Sequence, residues 1–325
     1  MNTVKKIVLI GSGEIGSRHL QALAKLPLKI HVNIVEPDDL KFNKAIRRLK
    51  DIKIIEDKFT YTHHNDLSNL EGKEDLVIVS TNSDIRTTIV LELLKKGYKR
   101  FILEKMVCQS EKDYRKLLEI ISSTKSKAWV NSSRVYIKSY KILKNYFKNS
   151  NPLHFSVNRG NQGLGSNAFH FFILFGFFCE NYKVNINADY LDKEILSNKR
   201  GKKFCEFSGT LIGRNSNGST ITITFSKHEK IPLTINIIGK NKHIIIEEES
   251  EKIHFLKGIG KNKIKFNNEL QSSLTTKIVK DILKKDYCEL PTIMESSFIH
   301  YELFKKFNLH LKRYSKKQFH LCPIT

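Results

Sequence analysis

Gly11, Gly13 and Gly16 fall in a G-x-G-x-x-G spacing, and the chemistry open to that spacing is the cradling of phosphate. Gly11 permits a tight turn, Gly13 lets backbone approach a pyrophosphate, and Gly16 lets a following helix pack close to its strand. A helix that opens on such a turn offers unpaired N–H groups and the positive end of its dipole to the anion. Ser12, Glu14 and Ile15, interleaved with the glycines, count with them as cofactor-binding candidates. Glu36 stands about 20 residues downstream, where an acidic side chain meets an adenosine ribose. Its carboxylate would accept both ribose hydroxyls and repel a 2′-phosphate, so NAD is expected and NADP disfavoured. The alternative is a glycine turn without ligand and a Glu that only caps a helix.

Those residues need a strand before them, a helix after, and a second strand ending in Glu36. KKIVLI, residues 5–10, is apolar at its end as a buried strand is, Ser17 to Leu26 resumes at helical period before Pro27, and IHVNIVEP follows. Asp38 or Asp39 caps a helix through about Lys50, and DIKIIE reads as a short strand. The segment to Gly72 holds His63 and His64, expected to be solvated for want of further metal ligands at suitable spacing. DLVIVST, RFILEK and KAWVN are further strands, with helices from Ser83 to Lys96 and from a capping-box-like Ser110 to about Ser122. Strands alternating with helices of this length give a doubly wound parallel sheet, whose ligands lie beyond the carboxyl ends of the strands. Ser80, Thr81, Asn82, Glu104, Lys105 and Asn131 occupy those ends, and the first four join the cofactor-binding candidates.

After about residue 130 the pattern changes. A helix from Tyr136 to Asn149 precedes a strand LHFSVN, a glycine-rich loop RGNQGLGSN and an apolar helix containing His170. Short alternating strands then run to Phe266, the last being KIKF, and helices at Ser273–Lys285 and Ile293–Tyr314 end the chain. The expected architecture is a Rossmann α/β domain, residues 1–130, and an α+β domain with an open antiparallel sheet and helices, residues 131–325.

Composition narrows the class. The 325 residues are 40% hydrophobic and 27% charged, as in ordinary globular proteins. No signal peptide is visible and the longest apolar run, AFHFFILFGFFC, is too short to span a bilayer, so no membrane partner is expected. Five scattered cysteines without a C-x-x-C argue for a reducing cytoplasm and against structural zinc, and no metal is expected. The formal charge of +23 fits a nucleic-acid binder, a surface that steers anionic substrates, or a lysine-rich compositional bias. Lysines are dispersed and no arginine-rich arm is present, which favours the bias and disfavours nucleic acid.

Over its full length the sequence resembles the Gfo/Idh/MocA oxidoreductases. The resembling segments are GSGEIGSRH at 11–19, STNSDIR at 80–86, LEK at 103–105, NSSR at 131–134 and GSNAFH at 165–170. Members found with surface-polysaccharide genes look most similar. The resemblance implies NAD(P)-dependent oxidation or reduction of a secondary alcohol or keto carbon of a sugar, here a nucleotide-linked one. It also implies a homodimer or homotetramer packed through the C-terminal sheet. Lys105 matches the family's lysine, which meets the reacting oxygen and would stabilise developing alkoxide charge. His170 matches the proton-transferring histidine, and an imidazole titrates near neutrality. Two departures stand out: Met106 replaces the usual proline, and Ile173 occupies the position of an Asp three residues after the histidine. They motivate an alternative, a catalytically impaired NAD-binding regulatory or accessory protein. Arg134, Tyr136, Asn161 and Asn167 are the substrate-contact candidates; Arg86, where many relatives have histidine, has no assigned role.

Overall fold

The computed structural model describes residues 3–54, 56–160, 163–228, 230–258, 264–315, 317, 319 and 321–325. Contacts divide the chain into two compact units: Met1–Cys108 with Lys112–Tyr136 and Glu269–Ile293, and Gln109–Glu111 with Ile137–Asn268 and Met294–Thr325.

The first unit begins with β1 (Lys5–Ile10), α1 (Glu14–Ala24), β2 (Ile30–Val35), α2 (Asp39–Lys50) and β3 (Phe59–His64). It continues with β4 (Leu76–Val79), α3 (Ser83–Lys95), β5 (Arg100–Leu103), α4 (Glu111–Ser123) and β6 (Lys127–Val130). The six strands pair in the order β3-β2-β1-β4-β5-β6, every pair parallel. Ile7 to Ile10 and Leu76 to Val79 are buried, as strands covered on both faces must be. Order reverses between β1 and β4, which opens a crevice at their carboxyl ends. DIKIIE is not a strand over its described residues 51–54 and 56; the edge strand is β3, a few residues later. Its alternation of Thr, Tyr and Thr suits an edge with one wet face better than the short apolar run did.

The second unit contains α5 (Lys138–Tyr146), β7 (His154–Gly160), α6 (Leu164–Cys179), β8 (Val184–Leu191), β9 (Leu196–Ser197), β10 (Cys205–Glu206) and β11 (Gly209–Asn215). β12 (Thr220–Ser226), β13 (Thr234–Gly239), β14 (Lys242–Glu247) and β15 (Lys252–Lys257) complete the seven-stranded sheet, ordered β15-β14-β13-β7-β12-β11-β8. The chain closes with α7 (Gln271–Lys285), which belongs to the first unit, and α8 (Ile293–Tyr314). All pairs of the large sheet are antiparallel except β7–β12. A helical crossover through α6 returns the chain in the direction of β7, and antiparallel pairing through β11 then sets β12 beside β7 with the same sense. α6 lies close against this sheet: a Cβ on Gly213 would come 2.7 Å from Phe172. KIKF is not a strand over its described residues 264–266. Most of the expected glycine-rich loop is regular structure, Arg159 and Gly160 ending β7 and Gly165 to Asn167 lying in α6. Gly165 sits in tight packing there, since a Cβ would stand 3.0 Å from side-chain atoms of Glu206, Phe207 and Ile324.

Among the described residues no helix is long and apolar enough to cross a membrane. All five cysteines are buried.

Candidate functional site

Gly11 has a φ of 84°, a left-handed turn that glycine adopts without strain. A Cβ on Gly16 would meet the Gly11 carbonyl oxygen at 2.0 Å, so α1 can start this close to β1 only with glycine there. Gly13 differs from both. A Cβ on it would meet nothing within 4 Å, so the protein itself does not require glycine at that position. A ligand approaching the backbone would. Gly13 is the N-cap of α1 and supplies no side-chain cap, leaving the helix N-terminus open to an external acceptor.

Ser80 fixes the opposite lip. Its hydroxyl donates to the carbonyls of Ile10 at 3.0 Å and Gly11 at 2.7 Å, tying the end of β4 to the turn after β1. Thr81 lies against Gly11, and Asn82 is the N-cap of α3. Together these residues line a cleft of about 540 Å³ whose wall includes Gly11, Gly13, Glu36, Ser80, Thr81 and Asn82. Leu67, Ile85 and Ile89 add apolar side chains to its lining. Ser12 is buried and Ile15 half-buried; the Glu14 side chain instead turns to α2, bonding Lys44 at 2.5 Å and Arg48 at 2.6 Å. Those two hydrogen bonds hold its carboxyl below the ordinary range, and only its backbone remains for an anion.

Glu36 is buried at the cleft wall, and its carboxylate accepts from Ser12 N–H at 2.8 Å and Asp38 N–H at 3.2 Å. Its backbone is held as well: the N–H donates to His64 O at 3.0 Å and the carbonyl accepts from His63 Nε2 at 2.9 Å. The adjacent histidines are half-buried, each keeping part of its surface in solvent while holding a partner. His63 also stacks on Phe42 with ring centroids 3.7 Å apart, and His64 bonds Asn33 at 3.1 Å. Asp66 and Glu92 join Glu36 around the cleft, and Lys41, the one lining cation among the described residues, is paired with Asp38 at 3.0 Å. That sign pattern suits two ribose hydroxyls and opposes a 2′-phosphate. The open Gly13 backbone, the uncapped α1 and the anchored carboxylate all fit a dinucleotide.

Behind the cleft, at the end of β5, Glu104 is buried and turned inward. Its Oε1 accepts from His19 Nε2 at 3.0 Å and Asn131 Nδ2 at 2.5 Å. Burial alone would push this carboxyl up; the hydrogen bond and charge of His19, then Asn131 and Arg86, outweigh it and hold it at about 2. His19 Nδ1 meets Thr275 Oγ1 at 3.0 Å, which brings α7 into the same network. Glu104 is one of the cofactor-binding candidates, and its carboxylate is engaged with these internal partners. His19 was missed, although a histidine one turn into a helix otherwise bearing Leu20 and Leu23 is a signal for a buried partner. Lys105 follows Glu104 and is itself buried.

Arg134 is half-buried in a 3₁₀ turn, Ser133–Tyr136. Tyr136 is buried, its hydroxyl donating to Asp281 at 3.1 Å and accepting from Glu289 N–H at 3.0 Å; burial pushes this phenol well up.

In the second unit His170, Asn167 and Ser166 share the half-buried face of α6. Asn167 turns back to the Gly163 carbonyl at 2.7 Å. Ile173 is fully buried, so no carboxylate accompanies His170 from that position. Glu206, which sequence reasoning also missed, accepts from Ser166 N–H at 3.1 Å and Asn198 Nδ2 at 3.1 Å at the start of α6. Asn161 lies outside the described residues. Among the described residues no cluster of His, Cys, Asp and Glu could hold a metal ion.

Residues 5–132 match the model of the Gfo/Idh/MocA oxidoreductases, described as an oxidoreductase family with an NAD-binding Rossmann fold, which bears out the resemblance over that segment. No curated protein matches the sequence. Among solved structures, the fold is similar to WlbA dehydrogenase from Bordetella pertussis in complex with NADH and UDP-GlcNAcA, at TM-score 0.73 and 12% identity, covering 94% of this chain and 96% of that one. WlbA from Chromobacterium violaceum, also with NADH and UDP-GlcNAcA, gives 0.70 and 15%, covering 95% and 94%. The myo-inositol dehydrogenase of Lactobacillus casei, with NAD(H) and myo-inositol, gives 0.69 and 14%, covering 96% of both chains.

Proposed function

We propose that this chain, whose residues 5–132 match the Gfo/Idh/MocA NAD-binding model, is an NAD-dependent oxidoreductase acting on a nucleotide-linked sugar in surface glycan biosynthesis. The observation that carries the reading is the cleft at the β1/β4 switch point, with Gly13 open, α1 uncapped and Glu36 anchored. NAD, when bound, supplies the hydride acceptor or donor. The α1 N-terminus and Gly13 would hold the pyrophosphate, Glu36 the ribose, and Leu67, Ile85 and Ile89 an apolar face for the base. Lys105 would stabilise negative charge on the reacting oxygen and His170 would move its proton. Arg134, Tyr136, Asn161 and Asn167 are proposed to contact the sugar. The WlbA complexes support a UDP-linked uronic acid as the first substrate to try. We further propose assembly as a homodimer or homotetramer through the seven-stranded sheet, in the cytoplasm, without nucleic acid as partner.

The test is NADH binding followed by fluorescence, then turnover of NAD with UDP-GlcNAcA and a panel of other nucleotide sugars. Binding with turnover supports the proposal; failure to bind NADH refutes it. Binding without turnover across the panel supports a catalytically impaired accessory protein, the reading favoured by Ile173 standing buried where a carboxylate would assist His170.

A further inference from the structure

Arg86 is among the largest fully buried side chains of the described residues, placed on the first turn of α3. Its guanidinium is spent on backbone carbonyls from two strand ends. Nη1 donates to Glu104 O at 2.7 Å and also to Met106 O, while Nη2 donates to Thr81 O. The carbonyls of residues 104 and 106 flank Lys105, so one nitrogen pins the chain on both sides of that lysine. The other nitrogen holds the β4 lip of the cleft, where Thr81 lies.

We propose that Arg86 is a positioning residue that sets Lys105 against the β4 wall of the cofactor cleft, an inference that rests on the function proposed above. Met106 has no ring to fix its own φ, so the segment after Lys105 needs an outside restraint, and Arg86 supplies it. The planar fork of a guanidinium serves three divergent carbonyls from two separated nitrogens, whereas the three donors of a lysine leave from a single atom. A lysine at 86 presents one point charge, and an imidazole at most two donors. The buried charge is offset by three carbonyl dipoles and by the nearby Glu104 carboxylate, one of whose stabilising influences is Arg86. Substitution therefore orphans carbonyls on both sides of Lys105 and releases it.

The experiment compares wild type with Arg86→Lys, Arg86→Gln and Arg86→Ala by three readouts: NADH affinity, turnover of NAD with UDP-GlcNAcA, and hydrogen–deuterium exchange of the amides at 104–107. In Arg86→Lys, kcat is expected to fall by about 10²-fold, the scale of a misplacement near 1 Å, with NADH affinity within a few-fold of wild type. Exchange at 104–107 accelerates while exchange at 7–10 does not. Guanidinium ion at millimolar concentration restores both turnover and slow exchange to Arg86→Ala. Wild-type exchange at 104–107 in Arg86→Lys and Arg86→Gln overturns the proposal. So does a loss of NADH affinity as large as the loss of kcat and indifferent to guanidinium. If wild type binds NADH but turns over no substrate, the proposed reaction fails while the exchange data still decide the role of Arg86.

Discussion

His19 Nε2 lies 3.0 Å from Glu104 Oε1, inside the first unit, so the helix that opens on the glycine turn is bonded to the residue just before Lys105. A buried hydrogen bond thus links the glycine-turn helix to the end of β5. Glu104, held at about 2 against an ordinary 4.5, makes this bond a pH-dependent source of stability. Its folded-state pKa is depressed, so its contribution is complete above about 4.5 and is lost as the pH falls through about 2. Urea unfolding of wild type and Glu104→Gln checks this. The stability advantage of wild type should shrink by on the order of 3 kcal/mol between about pH 6 and pH 2. An advantage that does not change with pH would show that the carboxylate form is not what the network selects.

Gly13 and Gly16 make a matched pair for separating ligand binding from folding. Gly16→Ala drives a Cβ to 2.0 Å from the Gly11 carbonyl, so it should lower both thermal stability and NADH affinity. Gly13→Ala meets no protein atom within 4 Å. It should keep stability within about 1 kcal/mol of wild type, as substitutions away from packed features do, yet weaken NADH by about tenfold or more. Calorimetric melting and NADH titration of both variants read this directly. Equal affinity in Gly13→Ala and wild type would mean that no pyrophosphate approaches there.

Glu36→Gln keeps the side-chain shape and an acceptor for Ser12 N–H but removes the charge. Hydrogen bonds to a charged group contribute roughly 1.5–3 kcal/mol, so the preference for NAD over NADP should fall by about tenfold or more. The ratio of the two dissociation constants is the measurement. An unchanged ratio would move cofactor discrimination elsewhere, with Asp66 and Glu92 the next groups to test.

The glycine turn, the parallel sheet and Glu36 were legible in the sequence because each depends on local pattern: an apolar strand, fixed spacing, a helix start. β3 was misplaced because an edge strand needs only one apolar face and Phe59–His64 shows little of one, while DIKIIE looked more apolar than it is structured. Of the cluster of His19, Arg86, Glu104, Asn131 and Thr275, only the strand-end positions of Glu104 and Asn131 could be read. Its members are up to 256 residues apart and meet only through tertiary packing. Glu104 was therefore assigned to the cofactor by its strand-end position, and Arg86 to nothing. In α6 the apolar stretch was evident, but the stretch RGNQGLGSN looked like a loop because glycines that serve close packing resemble glycines that serve flexibility.

Turnover of Lys105→Ala and His170→Ala, each beside its NADH affinity, tests most directly whether these two side chains perform the chemistry. With NAD and a substrate that the wild type oxidises, each variant should lose about 10²–10⁴-fold in kcat, the usual worth of general acid–base help, while binding NADH within a few-fold of wild type. Turnover within a few-fold of wild type in either variant would contradict the role given to that residue.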